Sequence, residues 1–182
     1  MKCSLKGNKL YFDEFFFIDL NRDTITQYNL KNRDEISIEE YRELIKKRAY
    51  SMAYFLLAKR DYPSGDLKTR LISKYRERDI IEDLIADFCE RGYIDDYEYG
   101  KSYVRTHSYG RKKMEFMLLK KGLSSDMIRE LLDDNSDQEL EEAKKQWIKL
   151  GNKEKDKKIM SLMRKGFEYS TIQRAVSELE EQ

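Results

Sequence analysis

Residues 118–132, LLKKGLSSDMIRELL, read as the end of one helix, a glycine corner and the start of the next. Gly122 follows Lys120 and Lys121, where glycine takes the left-handed position beyond a helix end and cations complement the helix dipole. Ser124 or Ser125 then stands where a hydroxyl caps the following helix. Residues 162–176, LMRKGFEYSTIQRAV, repeat the arrangement: Gly166 follows Arg164 and Lys165, and Ser170 or Thr171 stands at the cap. A more distant copy is residues 71–85, LISKYRERDIIEDLI. Anchored on Tyr75, Gly122 and Gly166, a leucine lies four residues before each (Leu71, Leu118, Leu162) and an isoleucine six after (Ile81, Ile128, Ile172). Nineteen residues before the two glycines stand Tyr103 and Trp147, with Tyr99 and Ala143 four earlier. The anchors are 47 and 44 residues apart, so a unit of about three short helices occurs three times. Such a unit buries too little alone, and neighbouring copies must stack.

Upstream of the copies, Ser37 and Glu40 form a capping-box pattern at the head of an apolar stripe of helical period. Pro63 and Gly65 are expected to end that helix, with two more helices over 66–75 and 79–91, the latter stopped by Gly92. The beginning of the chain differs. KLYFDEFFFIDL is aromatic and strand-like, with a turn expected at Asp13-Glu14, and NRDTITQYNL reads as one helical turn capped by Asp23. The expected fold is mainly α: a modular, solenoid-like array of three three-helix repeats with a small mixed α/β N-terminal cap. Its expected boundaries are 1–36 for the cap and 37–94, 95–132 and 133–182 for the repeats.

The 182 residues are 40% hydrophobic and 39% charged, with one proline and a net charge of +1, which fits helices with solvated charged faces. Cys3 and Cys89 show no disulfide spacing and read as two reduced thiols, Cys89 packed in a helix and Cys3 in a mobile terminus. The chain lacks a signal-like apolar start and any apolar run near ~20 residues, and so reads as soluble and cytoplasmic, without a membrane partner. Tyr54, Phe55, Leu84, Ile85, Phe88, Leu118, Leu131, Trp147 and Ile172 stand at helical spacing as core candidates.

Paired carboxylates raise the question of chemistry at Asp95-Asp96. Asp95 follows Gly-Tyr-Ile at the head of an amphipathic helix, Asp96 falls beside the positive end of its dipole, and Glu98 sits at the third helical position. Adjacent helical residues point about 100° apart, which suits a catalytic pair badly, so both are read as structural caps. His107, the single histidine, reads as an exposed polar residue near a loop. Without a phosphate-binding glycine loop, a C-x-x-C or an H-E-x-x-H, no catalytic residue, metal or cofactor is expected.

Basic residues gather at Arg111-Lys112-Lys113, Lys120-Lys121 and in the lysines from 153 to 158, with Tyr99, Tyr103, Tyr109 and Phe116 interleaved. Such patches fit a phosphate backbone or a charged protein groove.

Four segments together resemble the RecX regulators of the RecA recombinase: AYSMAYFLLAKRDYPSGDLKTRLISKY from residue 49, GYIDDYEYGKSYV from 92, LLKKGLSSDMIRELL from 118 and KIMSLMRKGFEYSTIQRAV from 158. The resemblance implies a curved array of three-helix repeats without catalytic activity. It implies binding along the groove of the RecA filament on DNA, with inhibition of recombination and of the damage response, and it is compatible with weak direct DNA binding by a monomer. Lys59, Arg60, Arg70, Arg105, Arg111, Lys112, Lys113, Lys120 and Lys121 are the basic residues expected on the binding face. The chain departs from the family in RDYPSGDL at residues 60–67, in Gly100 where alanine is usual, and in its acidic SELEEQ end. The alternative is a helix-turn-helix-type DNA-binding transcriptional regulator, against which the acidic helix after Gly122 counts.

Overall fold

The computed structural model describes residues 1–181. Three short strands, β1 (Ser4–Lys6), β2 (Lys9–Tyr11) and β3 (Phe17–Asp19), form an antiparallel sheet in the order β1-β2-β3. Leu10 pairs with Leu5 and Ile18 across it, and Leu10 and Ile18 are buried while their neighbours along the strands are half-exposed. The turn from β2 to β3 is made by Asp13, whose Oδ1 accepts the N–H groups of Phe15 and Phe16 at 2.7 and 2.5 Å. Helix α1 (Arg22–Gln27) is capped by Asn21, not Asp23: Asn21 Oδ1 accepts Thr24 N–H at 2.9 Å, and Asp23 lies inside the first turn.

The cysteines reverse their expected places. The start of the chain is tied down, with the Met1 ammonium donating to Ile36 O and Cys3 N–H to Asp34 O, each at 2.7 Å. Cys3 is therefore buried, which pushes its thiol pKa up, and Cys89 is exposed on its helix.

Helix α2 (Ile38–Leu57) opens with the capping box: Glu40 N–H donates to Ser37 Oγ at 3.1 Å and Ser37 N–H to Glu40 Oε2 at 2.8 Å. Its buried stripe is Tyr41, Leu44, Ile45, Ala49, Ala53 and Leu56, whereas Tyr54 and Phe55 face outward, contrary to their place among the core candidates. Helix α3 (Ser64–Tyr75) begins directly after Pro63, so Gly65 lies in its first turn rather than in a loop. Helix α4 (Arg78–Glu90) follows. The corner between them is made by Arg76 in the left-handed conformation, φ 62°, one residue beyond Tyr75. Tyr75 is buried, and its hydroxyl donates to Arg48 O at 3.0 Å.

Two further trios follow: α5 (Asp96–Thr106), α6 (Arg111–Lys120) and α7 (Ser125–Asp134), then α8 (Ser136–Lys149), α9 (Lys155–Arg164) and α10 (Tyr169–Glu180). Their corners match bond for bond. Gly122 and Gly166 have φ of 89° and 90°. Leu123 and Phe167 N–H return to Leu118 and Leu162 O, each at 3.2 Å, and the glycine N–H groups reach Leu119 and Met163 O, each at 2.9 Å. Both are Schellman corners, closed by the buried Leu123 and Phe167. Ser124 caps α7, accepting Met127 N–H at 3.3 Å; in the third trio Glu168 takes the cap position, and Ser170 and Thr171 lie within α10.

The equivalent leucines (Leu71, Leu118, Leu162) and isoleucines (Ile81, Ile128, Ile172) are buried in all three trios. Each full burial of such a side chain contributes roughly 1.5–3 kcal/mol. Three separate apolar cores result: one under the sheet and α2–α4, one within α5–α7 and one within α8–α10. The fold is a mainly helical repeat fold with a small antiparallel sheet. It divides into two compact units, Met1–Tyr62 with Asp66–Ile94, and Pro63–Gly65 with the residues from Asp95 on. Among the described residues, no helix is long and apolar enough to cross a membrane.

Candidate partner-binding surface

The two aspartates cap two different helices. Asp95 Oδ1 accepts Glu98 N–H at 2.9 Å at the head of α5. The Glu98 carboxylate turns to Lys101 at 2.7 Å rather than back to the cap, so the reciprocal half of a capping box is missing. Asp96 reaches a distant helix start: Oδ1 accepts the Ser64 N–H at 2.7 Å, and Oδ2 accepts the Ser64 hydroxyl. Each carboxylate accepts a backbone N–H that a helix start leaves unpaired, and Asp96 holds the Ser64 hydroxyl as well. Nothing in the sequence around Asp96 points to Ser64, 32 residues earlier.

The same device recurs within the second unit. Arg111 N–H, at the start of α6, donates to Glu139 Oε1 of α8 at 2.7 Å. Burial raises the pKa of Glu139, an effect that the Arg111 N–H and charge only partly offset. Around each carboxylate, the helix start lies against a glycine corner. A Cβ on Gly65 would stand 2.6 Å from Gly122 Cα, and one on Gly110 would stand 2.1 Å from Phe167 N. Gly110 N–H donates to Lys165 O at 3.0 Å and Lys112 N–H to Gly166 O at 3.1 Å. A positive helix start thus meets the negative end of α9. We call this arrangement of carboxylate, bare helix start and glycine corner a seat.

The seats explain where several basic residues go. Arg111 pairs with Asp133 at 2.6 Å, and Lys112 lies 3.7 Å from Glu168. The Lys113 backbone and Cβ press on Gly166, with its ammonium 4.1 Å from the Tyr109 ring centroid. These three residues are therefore tied into a seat as well as being basic. Elsewhere in the second unit Arg105 and Lys120 are exposed and Lys121 is half-buried. In the first unit, Lys59 lies over the Phe55 ring at 4.0 Å and Arg70 is exposed on α3, while the Arg60 guanidinium lies 4.4 Å from the Tyr62 ring. His107 is half-buried rather than exposed. Its ring stacks on Tyr103 at 3.9 Å and 15°, with Nδ1 2.9 Å from Tyr103 O. Among the described residues, no three His, Cys, Asp or Glu side chains gather as a metal site.

Charge follows position within the trio. The middle helices are basic: α3 carries three Lys/Arg against one acidic residue, and α6 and α9 carry four against one each. The third helices are acidic: α4 has one basic residue against five acidic, α7 one against four and α10 one against two. The chain as a whole is nearly neutral, so this sorting concentrates positive charge on one helix of each trio. The single basic clusters along the sequence become a regular series only when the helices are assigned their places.

No protein-family model matches the chain. It is similar to regulatory protein RecX of Clostridium perfringens (strain 13 / Type A), 27% identical over 195 residues, covering 98% of this chain and 92% of the relative. Regulatory protein RecX of Clostridioides difficile (strain 630) is 28% identical over 188 residues, covering 93% and 88%. The crystal structure of RecX from Lactobacillus salivarius superposes with a TM-score of 0.68 at 25% identity, covering 76% of this chain and 98% of that one. A second RecX crystal structure shares the fold at a TM-score of 0.66, covering 93% and 94%. The chain is thus a relative of the RecX regulatory proteins, by sequence over nearly its whole length and by fold.

Proposed function

We propose that this protein is a non-catalytic regulator that binds the RecA filament on DNA and inhibits recombinase and repair activity in the cytoplasm. The observation that carries the reading is the regular placing of basic helices, one per trio, in a relative of RecX regulators. A repeat protein presents like groups at regular steps, and a filament offers like subunits at regular steps. Arg70 on α3, Arg105 on α5 and Lys120 on α6 supply exposed positive charge, with Lys59, Arg60, Lys121 and the Arg111–Lys113 run beside them in sequence. A helix-turn-helix reader would use the helix after the Gly122 corner, and α7, with four acidic residues against one basic, is repelled by DNA phosphates.

Cosedimentation with RecA filaments assembled on single-stranded DNA tests the reading. The protein is expected to pellet with filaments and to be released as salt rises. Pelleting no greater than with an unrelated helical protein would contradict it.

A further inference from the structure

Exposed apolar side chains scattered singly on a surface need no explanation, but exposed apolar side chains that recur in register do. On α6, Phe116 is 63% and Leu119 44% exposed; on α9, Met160 is 54% and Met163 51% exposed. Both pairs are spaced i,i+3, which puts each on one helix face, and they are 44 residues apart, the interval between Gly122 and Gly166. Lys120 and Arg164, also 44 apart and exposed, follow directly. The other exposed apolar residues of these trios do not recur: Ile148 answers to the buried Val104, and Tyr169 to Ser125. In the first trio the equivalent positions, 47 earlier, are Thr69 and the partly buried Ile72, so the pair belongs to the second unit alone.

We infer that Phe116, Leu119 and Lys120, and Met160, Met163 and Arg164, are two copies of one docking patch for a protein partner. That partner presents an apolar spot rimmed by carboxylates on adjacent identical subunits. The charge of α6 and α9, four basic residues against one acidic each, calls for the acidic rim. Phe116 alone offers a stacking face, and its counterpart Met160, like Leu119 and Met163, offers a base none, so what the two copies share suits a protein surface rather than single-stranded nucleic acid. Methionine in the second copy adapts to an uneven surface. The inference rests on the filament reading above and assigns its protein-facing contacts.

The test uses the full chain, RecA filaments on an immobilised single-stranded oligonucleotide, and the same oligonucleotide bare. Phe116→Ser with Leu119→Ser, and Met160→Ser with Met163→Ser, should each weaken filament binding by about tenfold, and the four together by more than either pair. Binding to bare oligonucleotide should not change. Lys120→Glu with Arg164→Glu, on solvent-facing side chains, should weaken binding and flatten its salt dependence, and this pair carries the test if a serine variant loses helicity. A fourfold variant that binds filaments like the wild type overturns the inference and leaves the function standing. Equal losses on filament and bare DNA overturn it in favour of a nucleic-acid contact. A wild-type dimer that the serine variants turn monomeric, with filament binding retained, overturns it in favour of self-association. A wild type that does not bind filaments removes the function and the inference together.

Discussion

Asp96 holds Ser64 by two hydrogen bonds, one from the backbone N–H and one from the hydroxyl, across 32 residues of chain. This bond set is what the second of two adjacent aspartates does, while the first caps its own helix. Asp96→Ala should lower stability by about 1–2 kcal/mol and Asp95→Ala by about 1 kcal/mol in urea unfolding. A double-mutant cycle separates them. Asp96→Ala should couple to Ser64→Ala and Asp95→Ala should not; equal coupling would contradict the assignment.

The glycine seats predict an inverted substitution effect. Alanine in place of glycine in a helical first turn ordinarily stabilises by up to about 1 kcal/mol. Here Gly65→Ala, in the first turn of α3, should instead destabilise, because the new methyl would meet backbone at 2.6 Å, and Gly110→Ala, at the cap position of α6 where alanine is already unfavourable, should destabilise further because its methyl would meet backbone at 2.1 Å. A raised melting temperature for either variant would contradict the close approach.

Local chemistry was legible in the sequence, and long-range chemistry was not. Ser37 with Glu40, Asp95 and the two glycine corners announce themselves because each device closes within a few residues. The threefold repeat was legible from Leu71, Leu118 and Leu162 and their isoleucines, since a small core must be filled at fixed offsets. The first corner was misplaced by one residue because Arg76, not a glycine, takes the left-handed turn. Cys3 was misjudged because its burial depends on hydrogen bonds to Asp34 and Ile36 that no local pattern encodes. Asp23 looked like a cap, but Asn21 lies two residues nearer the true start. Gly100 stood out in the sequence only as a departure from the alanine usual in the resembling family. It is buried, and a methyl there would stand 2.4 Å from Leu131 Cδ1, so the bare position makes room for a core leucine. The basic face was only half legible, because the seat that occupies Arg111 and Lys113 is built by residues from the next trio.

Two glutamates should give opposite pH signatures. Arg33 and the Ser37 N–H hold Glu40 down at about 2, below its ordinary 4.5. The stability it contributes is therefore present above that ordinary value and lost as pH falls towards about 2. Glu139 is raised above 4.5 by burial, so its favourable contribution is present in acid and lost as pH rises through the raised value. Glu139→Gln keeps an acceptor for Arg111 N–H and should be at least as stable as the wild type at neutral pH, with the difference vanishing below the ordinary carboxylate range. Glu40→Gln should be less stable than the wild type at neutral pH, with the gap closing in acid. Thermal melts of both variants between pH 2 and 7 check the pair; a Glu139→Gln variant destabilised most at neutral pH would contradict the sign.

Basic residues should divide into two classes under charge reversal. Arg70→Glu, Arg105→Glu and Lys120→Glu should leave helix content and melting temperature nearly unchanged while weakening filament binding. Reversing Arg111, Lys112 and Lys113 together should weaken binding and also lower the melting temperature, because they touch Asp133, Glu168 and the Gly166 corner. Circular dichroism alongside the cosedimentation assay distinguishes the classes. A fully stable triple variant would show that the seat does not depend on these side chains.

The most direct measurement is RecA-dependent ATP hydrolysis on single-stranded DNA with the protein added at substoichiometric amounts. The wild type should slow hydrolysis, and reversing Arg70, Arg105 and Lys120 together should remove most of that effect. Hydrolysis unchanged by the wild type, even at amounts equal to RecA, would contradict the claim that this protein restrains the filament.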